Sequence, residues 1–412
     1  QRRDGQRDRQ HALVEDEDEA ERESSKRGGG EGPERHLGSR RRIGGIAAGL
    51  LALACGLGVQ AQDEPAAMTP GMPTADDPSV LEAEVLPKVA SSLILDIVDA
   101  GDRAVAVGER GHILVSETRR DGWRQIEHVP TRSNLTAVTA IEQRVYAVGH
   151  DGIVLRSDDG GLTWARKRVV LFDRDNPDPR NGAPLLDVLF TDVDHGFAVG
   201  AYATLLRTDD GGESWNYVDI LNRGTAAAPT EEELAQDAVA PSLDDESWNF
   251  NAADLDLDEE TDPHLNGIAR TGNGNLFIVA ERGAAFRSTD GGSSWQRIQL
   301  PYEGSMFGVI GGSGDHVLCF GLRGNVYESN DLGSTWTKRE TGTELSLMGG
   351  AMGADGSTVL VGGNGIVLSR SSDSDAFLAT THPAGVVLSS VLVLGPGEYT
   401  VVGETGVSFY QP

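Results

Sequence analysis

The chain has 412 residues, of which 35 are basic and 64 are acidic, for a net charge of −29 at pH 7. The first 61 residues contain 11 basic and 11 acidic residues, so the whole excess of negative charge belongs to the remainder. This balance argues against binding to the phosphate backbone of a nucleic acid. Only two cysteines occur, Cys55 and Cys319, and no intramolecular disulfide is predicted for the mature protein.

The amino-terminal region divides into three parts by composition. Residues 1–38 are polar, charged and glycine-rich, and are predicted to be disordered. Residues 39–61 combine three arginines, a short apolar run and small residues up to Ala61, a pattern typical of a signal peptide. Residues 62–78 are rich in Pro, Ala and Asp and form a linker.

The signal segment predicts export to the periplasm. Cleavage after Ala61 would release the mature protein. As an alternative, Cys55 in the stretch LALAC would be lipidated and would hold the protein at the outer side of a membrane. Neither the length nor the glycine content of the segment favours a stable membrane-spanning helix.

One eight-residue sequence, SDDGGLTW at residues 157–164, recurs along the rest of the chain. Close copies end at Trp215, Trp295 and Trp336, and degraded copies end at Trp123 and Phe377. Asp and Ser/Thr side chains hold tight turns and paired glycines accept positive φ, so each copy predicts a turn between two strands. Asp beside Gly also suggests a metal site, but four regular copies favour a structural turn, known as an Asp-box. The residues predicted to build these turns are Ser157, Asp159, Gly161, Trp164, Asp210, Gly212, Trp215, Asp290, Gly292, Trp295, Asp331, Gly333 and Trp336.

A second landmark, a small residue that usually precedes Gly by three positions, sets the period of the repeat. The first positions of this landmark are Gly108, Gly149, Gly200, Ala280, Gly321, Gly362 and Gly403, spaced by 41, 51, 80, 41, 41 and 41 residues. Seven units of four short strands predict an all-β fold, a seven-bladed β-propeller over residues 79–412. The last unit has only three strand-like segments, and residues 79–86 (SVLEAEVL) are predicted to be the N-terminal strand that closes this last blade.

In a propeller, the turns between second and third strands share one face with the blade-to-blade connections, and the Asp-boxes lie on the opposite face. We call the face that carries the second-to-third-strand turns and the blade-to-blade connections the connection face. Both long insertions, Leu171–Pro184 and about 221–263, are connections on this face. The second insertion contains 13 acidic residues and one basic residue. It is either a solvated, disordered flap or an acidic lid that binds a partner.

The seven turns on the connection face carry the candidate binding residues. In blade order the central turn residues are Arg110, Asp151, Tyr202, Arg282, Arg323, Asn364 and Thr405. Arg suits recognition of carboxylates through its fork of donors, so Arg110, Arg282 and Arg323, with Tyr202, are the predicted partner-binding residues. The alternative is that each Arg pairs with a local acid such as Glu109 or Glu281.

The sequence offers no specific catalytic signal. The nine His show no ligand spacing, so no metal site is predicted, and no nucleophile elbow or phosphate-binding loop occurs. We therefore predict no catalytic residue and no cofactor. A glycoside hydrolase of sialidase-like or xyloglucanase-like type, with paired carboxylates on the connection face, remains the rival interpretation. A lectin-like binding module is a third.

The export signal, the seven units, the turns VGERG at 107–111 and VGHDG at 148–152, and the RSDDGGLTW-type turns together resemble a known family. This is the photosystem II stability/assembly-factor family of Asp-box propellers. The resemblance implies a non-enzymatic assembly protein, here predicted to be a monomer, that binds a membrane-protein complex through an Arg-rich face. It also implies that Arg110, Arg282 and Arg323 bind this partner. The acidic insertion and the strong negative charge depart from the family pattern and count against a photosynthetic partner. Some bacterial members of the family resemble companions of membrane transporters, and such a partner suits an exported propeller equally well.

Overall fold

Short apolar runs alternate with glycine-rich turns along the chain, and each such run forms a β-strand. The computed structural model describes residues 77–171, 178–222 and 262–412. The predicted disordered extension, the signal peptide with Cys55 and most of the linker lie outside these residues, as do residues 223–261 of the acidic insertion.

The described residues form 27 strands in seven antiparallel sheets, which confirms the all-β, seven-bladed fold. Blade 1 contains β1 (Ile94–Asp99), β2 (Ala104–Gly108), β3 (Ile113–Ser116) and β4 (Arg124–Gln125). Blade 2 contains β5 (Leu135–Ile141), β6 (Arg144–Gly149), β7 (Val154–Ser157) and β8 (Ala165–Arg168). Blade 3 contains β9 (Leu185–Phe190), β10 (Gly196–Gly200), β11 (Thr204–Thr208) and β12 (Asn216–Tyr217).

The remaining blades repeat this order. Blade 4 contains β13 (Leu265–Arg270), β14 (Leu276–Ala280), β15 (Ala284–Ser288) and β16 (Gln296–Gln299). Blade 5 contains β17 (Met306–Gly311), β18 (Val317–Gly321), β19 (Val326–Ser329) and β20 (Thr337–Arg339). Blade 6 contains β21 (Leu347–Met352), β22 (Thr358–Gly362), β23 (Ile366–Arg370) and β24 (Leu378–Thr381). Blade 7 contains β25 (Leu388–Gly395), β26 (Glu398–Gly403) and β27 (Gly406–Tyr410).

Short 3₁₀ turns join some of these strands. In the described ranges they are Val89–Ser91, Glu109–Gly111, His150–Gly152, Glu281–Gly283, Leu322–Gly324 and Gly363–Gly365. The second strand of each blade is mostly apolar and is buried except for the first residues of β6 and β26, because each sheet packs between two others. Cys319 lies in one of these strands, β18, where burial raises the pKa of its thiol.

Each Asp-box is held by one carboxylate that accepts several hydrogen bonds. Asp331 accepts from the Ser329 hydroxyl at 2.8 Å and from both the backbone N–H and the hydroxyl of Thr335 at 2.7 Å. The Ser329 hydroxyl in turn accepts the N–H of Gly333 at 2.8 Å. Hydrogen bonds to the charged form favour ionisation, and those from Thr335 lower the pKa of Asp331 to about 2. The boxes of Asp159, Asp210 and Asp290 repeat this arrangement.

The same turns fasten neighbouring blades together. A Cβ at Gly333 would lie 3.0 Å from the Phe277 ring of blade 4, and one at Gly292 would lie 2.3 Å from the Phe197 ring of blade 3. Glycine is therefore required for this close approach as well as for its positive φ. The Trp336 ring stands edge-on to Phe277, with centroids 5.9 Å apart.

The ring closes between blades 7 and 1 without the predicted strand. Residues 79–86 form no strand; they run along the outer edge of blade 1, where the Ala83 N–H donates to the Val129 carbonyl at 2.9 Å. We call residues 77–92 the N-terminal strap. The prediction that residues 79–86 complete blade 7 is wrong, because the 3₁₀ turn Val89–Ser91 occupies the space beside β27. The Ala90 carbonyl lies only 1.8 Å from where a Cβ on Gly406 would sit.

Side chains fasten the closure instead. Ser389 donates its hydroxyl to the Ile94 carbonyl at 2.8 Å, and Arg120 forms an ion pair with Glu398. Leu86 and Ala90 of the N-terminal strap pack into the apolar seam between blades 7 and 1, against Val402 and its neighbours. The seam therefore joins the two ends of the propeller through packing and hydrogen bonds.

Candidate functional site

Six of the seven turns of the connection face have a central residue in the left-handed region, and the exception is the turn of Thr405. The φ values include 54° for Arg110, 55° for Arg282, 57° for Arg323, 52° for Asn364 and 58° for Asp151. Each turn is anchored by the N–H of its first residue, as when Glu281 donates to the His264 carbonyl at 3.2 Å and Leu322 to the Ser305 carbonyl at 3.1 Å. A left-handed residue projects from a tight turn, so its side chain is displayed to solvent.

The three arginines of these turns are exposed and unpaired. Among the residues that the structure describes, none of the guanidinium groups of Arg110, Arg282 and Arg323 makes an ion pair or hydrogen bond. The neighbouring acids have other partners: Glu109 accepts the Leu93 N–H at 3.3 Å, and Glu281 accepts the His264 N–H at 3.1 Å. The alternative in which each Arg pairs with such an acid is therefore not what the described residues display.

The structure brings two of the three arginines together. Arg282 lies on blade 4 and Arg323 on blade 5, and the inner strands of these blades pack side by side. Arg110 lies on blade 1, three blades away in either direction around the ring. Tyr202, on blade 3, is 38% exposed and stands edge-on to the His264 ring, with centroids 5.2 Å apart. Of the three arginines, only Arg282 and Arg323 therefore lie on adjacent blades.

A feature that sequence reasoning missed lies inside the ring of turns. Every inner strand contains a β-bulge near its first residue, where one extra residue interrupts the pairing with the second strand. Bulges re-aim side chains. The bulged residues, which we call the bulge ring, are Leu95, Thr136, Leu186, Asn266, Phe307, Met348 and Ser389. They surround the entrance to the central channel on the connection face.

The polar side chains of the bulge ring form hydrogen bonds to the backbone of the next blade. The Thr136 hydroxyl donates to the Leu185 carbonyl at 2.6 Å, and the Asn266 amide donates to the Met306 carbonyl at 2.8 Å. The apolar members, in contrast, are partly exposed to solvent. Met348 is 42% exposed and Phe307 is partly exposed. Leu95 and Leu186 are partly exposed as well, so blades 1, 3, 5 and 6 all contribute apolar surface at the channel entrance.

Two carboxylates lie deeper in the channel. Asp96 accepts the N–H of Val138 at 2.8 Å from the next blade, and Asp187 accepts the N–H of Ile268 at 2.9 Å in the same way. Burial raises the pKa of Asp96 to about 6 and that of Asp187 to about 7, and the charge of Asp96 adds to the shift of Asp187. Some solvent reaches both residues from the channel, but surrounding protein desolvates them.

These carboxylates act as links between blades. Their oxygens are taken up by backbone N–H groups, which is unlike the arrangement that a glycosidase needs, where one acid and one base face a sugar. Within the described ranges, no group of three or more His, Cys, Asp or Glu is placed to hold a metal ion. The same residues include no helix with the length and apolarity that crossing a membrane requires.

Comparison with known proteins adds a family. The family model described as "Photosynthesis system II assembly factor YCF48" matches residues 179–228, which run from the connection before blade 3 into the acidic insertion. Similar proteins include the photosystem II assembly lipoprotein Ycf48 of Synechococcus sp. (strain CC9902), 29% identical over 39% of this chain and 48% of that protein. The Prochlorococcus marinus protein of the same name is 30% identical over 32% of this chain and 38% of its own. The chain thus spans about half or less of the length of the curated relatives it matches.

Solved structures agree with the fold. The chain is similar to a structure described as YCF48 bound to D1 peptide, with a TM-score of 0.55, 15% identity, and coverage of 83% of this chain and 98% of that one. It is also similar to YCF48 from Cyanidioschyzon merolae, with a TM-score of 0.53, 15% identity, and coverage of 80% and 97%. The resemblance predicted from the repeats is confirmed: part of the chain is similar to photosystem II assembly factors of the Ycf48 type, and the fold is that of the solved YCF48 propellers.

Proposed function

We propose that the protein is a non-enzymatic binding protein that helps to assemble or stabilise a membrane-protein complex through its connection face. The observation that carries the proposal is the presence of arginines, exposed and unpaired in the described residues, at left-handed turn positions of a strongly acidic protein. A left-handed, non-glycine residue is strained, and such strain concentrates at functional sites. Arg110, Arg282, Arg323 and Tyr202 are the proposed contacts.

The relatives support the same class of function. The curated relatives are named assembly proteins of photosystem II, several of them lipoproteins, and one solved relative is described as bound to a peptide of D1. By analogy, the partner here is a membrane-protein subunit, either of a photosystem or of a transporter in a bacterium without photosynthesis. Export through residues 39–61, with attachment at Cys55 as the alternative, belongs to the same proposal.

The test is affinity capture from detergent-solubilised native membranes. The wild type is compared with the double variant Arg282→Asn/Arg323→Asn, in which Asn is chosen because blade 6 already carries Asn364 at the equivalent left-handed position. A matched control is Arg270→Asn/Arg297→Asn, which removes the same charge from exposed arginines of blade 4 outside the connection face.

We expect one membrane protein to be recovered by the wild type and the control but not by the Arg282/Arg323 variant. Equal recovery by both double variants would contradict a role for the two turns. Absence of any membrane protein from the wild-type sample would contradict the assembly function itself.

A further inference from the structure

The connection face has one sector in which positive charge and apolar surface coincide. The turn of Arg282 packs against β17, the strand that carries Phe307, and the turn of Arg323 packs against β21, the strand that carries Met348. Each unpaired arginine therefore lies on a turn that packs against the strand carrying a partly exposed apolar member of the bulge ring in the next blade. We call these four residues the Arg–apolar sector.

The rest of the ring lacks this combination. The turn of Arg110 packs against β5, whose bulged residue is Thr136, and the turn of Asp151 packs against β9, whose bulged residue is Leu186. Asp151 already accepts the Ser133 hydroxyl at 2.6 Å. Among the described residues, only the turns of blades 4 and 5 combine an unpaired arginine with a large apolar bulged residue on the first strand of the next blade.

We propose that the Arg–apolar sector binds an extended peptide segment in which a large apolar side chain stands within a few residues of a carboxylate. The proposal rests on the function proposed above and specifies the segment that the partner must present. The guanidinium groups supply paired donors for a carboxylate. Phe307 and Met348 supply a surface that gains free energy when a side chain covers it. Met is suited to such contact because its thioether side chain adapts to the shape of the ligand.

Two nearby acidic residues reduce the positive electrostatic potential at the arginines of this site. Glu303 and Glu344 are exposed on the connections that flank the Arg282 and Arg323 turns, and neither forms an ion pair in the part of the chain described. Their charges weaken attraction for a carboxylate without blocking it. Removing them should therefore strengthen binding of an acidic segment, an effect opposite in sign to that of removing the arginines.

The test uses four fluorescein-labelled 12-residue peptides on a neutral Gly/Ser host. One contains two glutamates, one two leucines, one both pairs and one neither, and binding is followed by fluorescence anisotropy up to millimolar concentration. We expect the peptide with both pairs to bind the wild type at least about tenfold more tightly than either single-pair peptide, since burial of one side chain suffices for this ratio.

Variants separate the two halves of the site. Phe307→Ser/Met348→Ser should abolish the advantage given by leucine, and serine is tolerated because Ser389 occupies the same position in blade 7. Arg282→Asn/Arg323→Asn should abolish the advantage given by glutamate, and Glu303→Gln/Glu344→Gln should increase it. The control Leu378→Ser, at a residue 64% exposed on the outer strand of blade 6, should change nothing.

The proposal is overturned if leucine gives no advantage with the wild type, if no peptide binds, or if Phe307→Ser/Met348→Ser retains the leucine advantage. Its failure is distinguishable from that of the assembly function. A Phe307/Met348 variant that still captures the membrane partner, while the Arg282/Arg323 variant does not, contradicts the apolar half and leaves the function intact.

Discussion

Arginine is an unusual residue for a left-handed turn, since Gly and Asn adopt that backbone with less strain. Three of the seven equivalent turns nevertheless carry Arg, while blade 6 carries Asn364. The fold itself does not require the guanidinium groups, because in the described residues they have no partners within the chain. Their presence therefore supports the proposed role in binding a partner.

This explanation predicts that the fold tolerates loss of these arginines. Arg323→Asn should leave the free energy of unfolding within about 0.5 kcal/mol of the wild type or raise it, because surface changes without partners are nearly neutral. Urea titration followed by tryptophan fluorescence provides the measurement. A loss of more than about 2 kcal/mol would mean that Arg323 has a structural role.

The Asp-box carboxylates are structural at the same scale. Asp331→Ala removes an acceptor for three protein groups and loosens the turn that fastens blade 5 to blade 4, so we expect a loss of roughly 1–2 kcal/mol in unfolding free energy. Asp373→Ala, in the degraded copy of blade 6, is the matched control. Asp373 accepts one hydrogen bond, from Ser371 at 2.7 Å, so the loss there should be smaller. Equal losses would contradict the proposed role of the box.

Asp187 makes stability depend on pH. Because burial raises its folded-state pKa to about 7 from an ordinary value of 3.8, the folded protein holds a proton that the unfolded chain releases between about pH 4 and 7. Stability from this group is therefore present below pH 4 and is lost as pH rises to 7. Each unit of a full shift is about 1.4 kcal/mol, and solvent in the channel reduces the effect.

The variant Asp187→Asn removes this carboxylate together with its electrostatic coupling to Asp96. Relative to the wild type, it should gain roughly 1 kcal/mol of stability when the pH is raised from 5 to 7.5. His112 and His382, whose burial lowers their pKa values, act in the opposite direction but are present in both proteins and cancel in the comparison. Parallel pH profiles of the two proteins would show that Asp187 is ionised at pH 5.

At the scale of elements, the N-terminal strap belongs to blade 1. Its backbone N–H at Ala83 donates to Val129, and the Arg166 guanidinium of blade 2 donates to the Ser79 carbonyl at 2.9 Å. Ala83 also faces the tight turn at Gly111, where its Cβ lies 3.4 Å from the position of an added Cβ. A larger, charged side chain does not fit there.

Ala83→Asp should therefore detach the strap locally. Hydrogen exchange at Ala83 and at Arg132, whose N–H donates to the Pro78 carbonyl at 2.7 Å, should accelerate by at least about tenfold. Exchange in β26, the strand paired with β27, should be unaffected. Loss of protection in blade 7 instead would restore the strand that the sequence analysis placed there.

The strap also illustrates what the sequence can and cannot specify. The apolar pattern of residues 79–86 indicates an extended segment beside a sheet, but both blade 1 and blade 7 offer an edge near the start of the chain. The choice depends on the turn at Val89–Ser91, which fills the space beside Gly406. The spacing of the seven small-residue landmarks from Gly108 to Gly403, in contrast, is visible in the sequence and predicted the seven blades correctly.

The site was predictable to a smaller extent. The turn arginines could be found because they share a position in the repeat. Whether these arginines form ion pairs depends on whether Glu109 and Glu281 accept backbone N–H groups instead, which no residue pattern specifies. Phe307 and Met348 escaped notice because a β-bulge is a shift in hydrogen-bond register that is not apparent from the sequence.

For the whole molecule, the two faces differ in their polar groups. On the Asp-box face the box carboxylates bond within their own turns, whereas the buried indole N–H groups of Trp123, Trp215, Trp295 and Trp336 have no hydrogen-bond partner among the described residues. The connection face carries the unpaired arginines, the partly exposed apolar side chains of Phe307 and Met348, and the described ends of both insertions. The account therefore requires the partner to dock on the connection face.

Site-specific photo-crosslinking in native membranes tests this requirement most directly. A photoreactive phenylalanine analogue is placed at position 364, on the connection face, or at position 330, an exposed residue of an Asp-box. We predict a covalent adduct with a membrane protein from position 364 and none from position 330. An adduct from position 330 alone would contradict the account, because the partner would then bind the face that the Asp-boxes occupy.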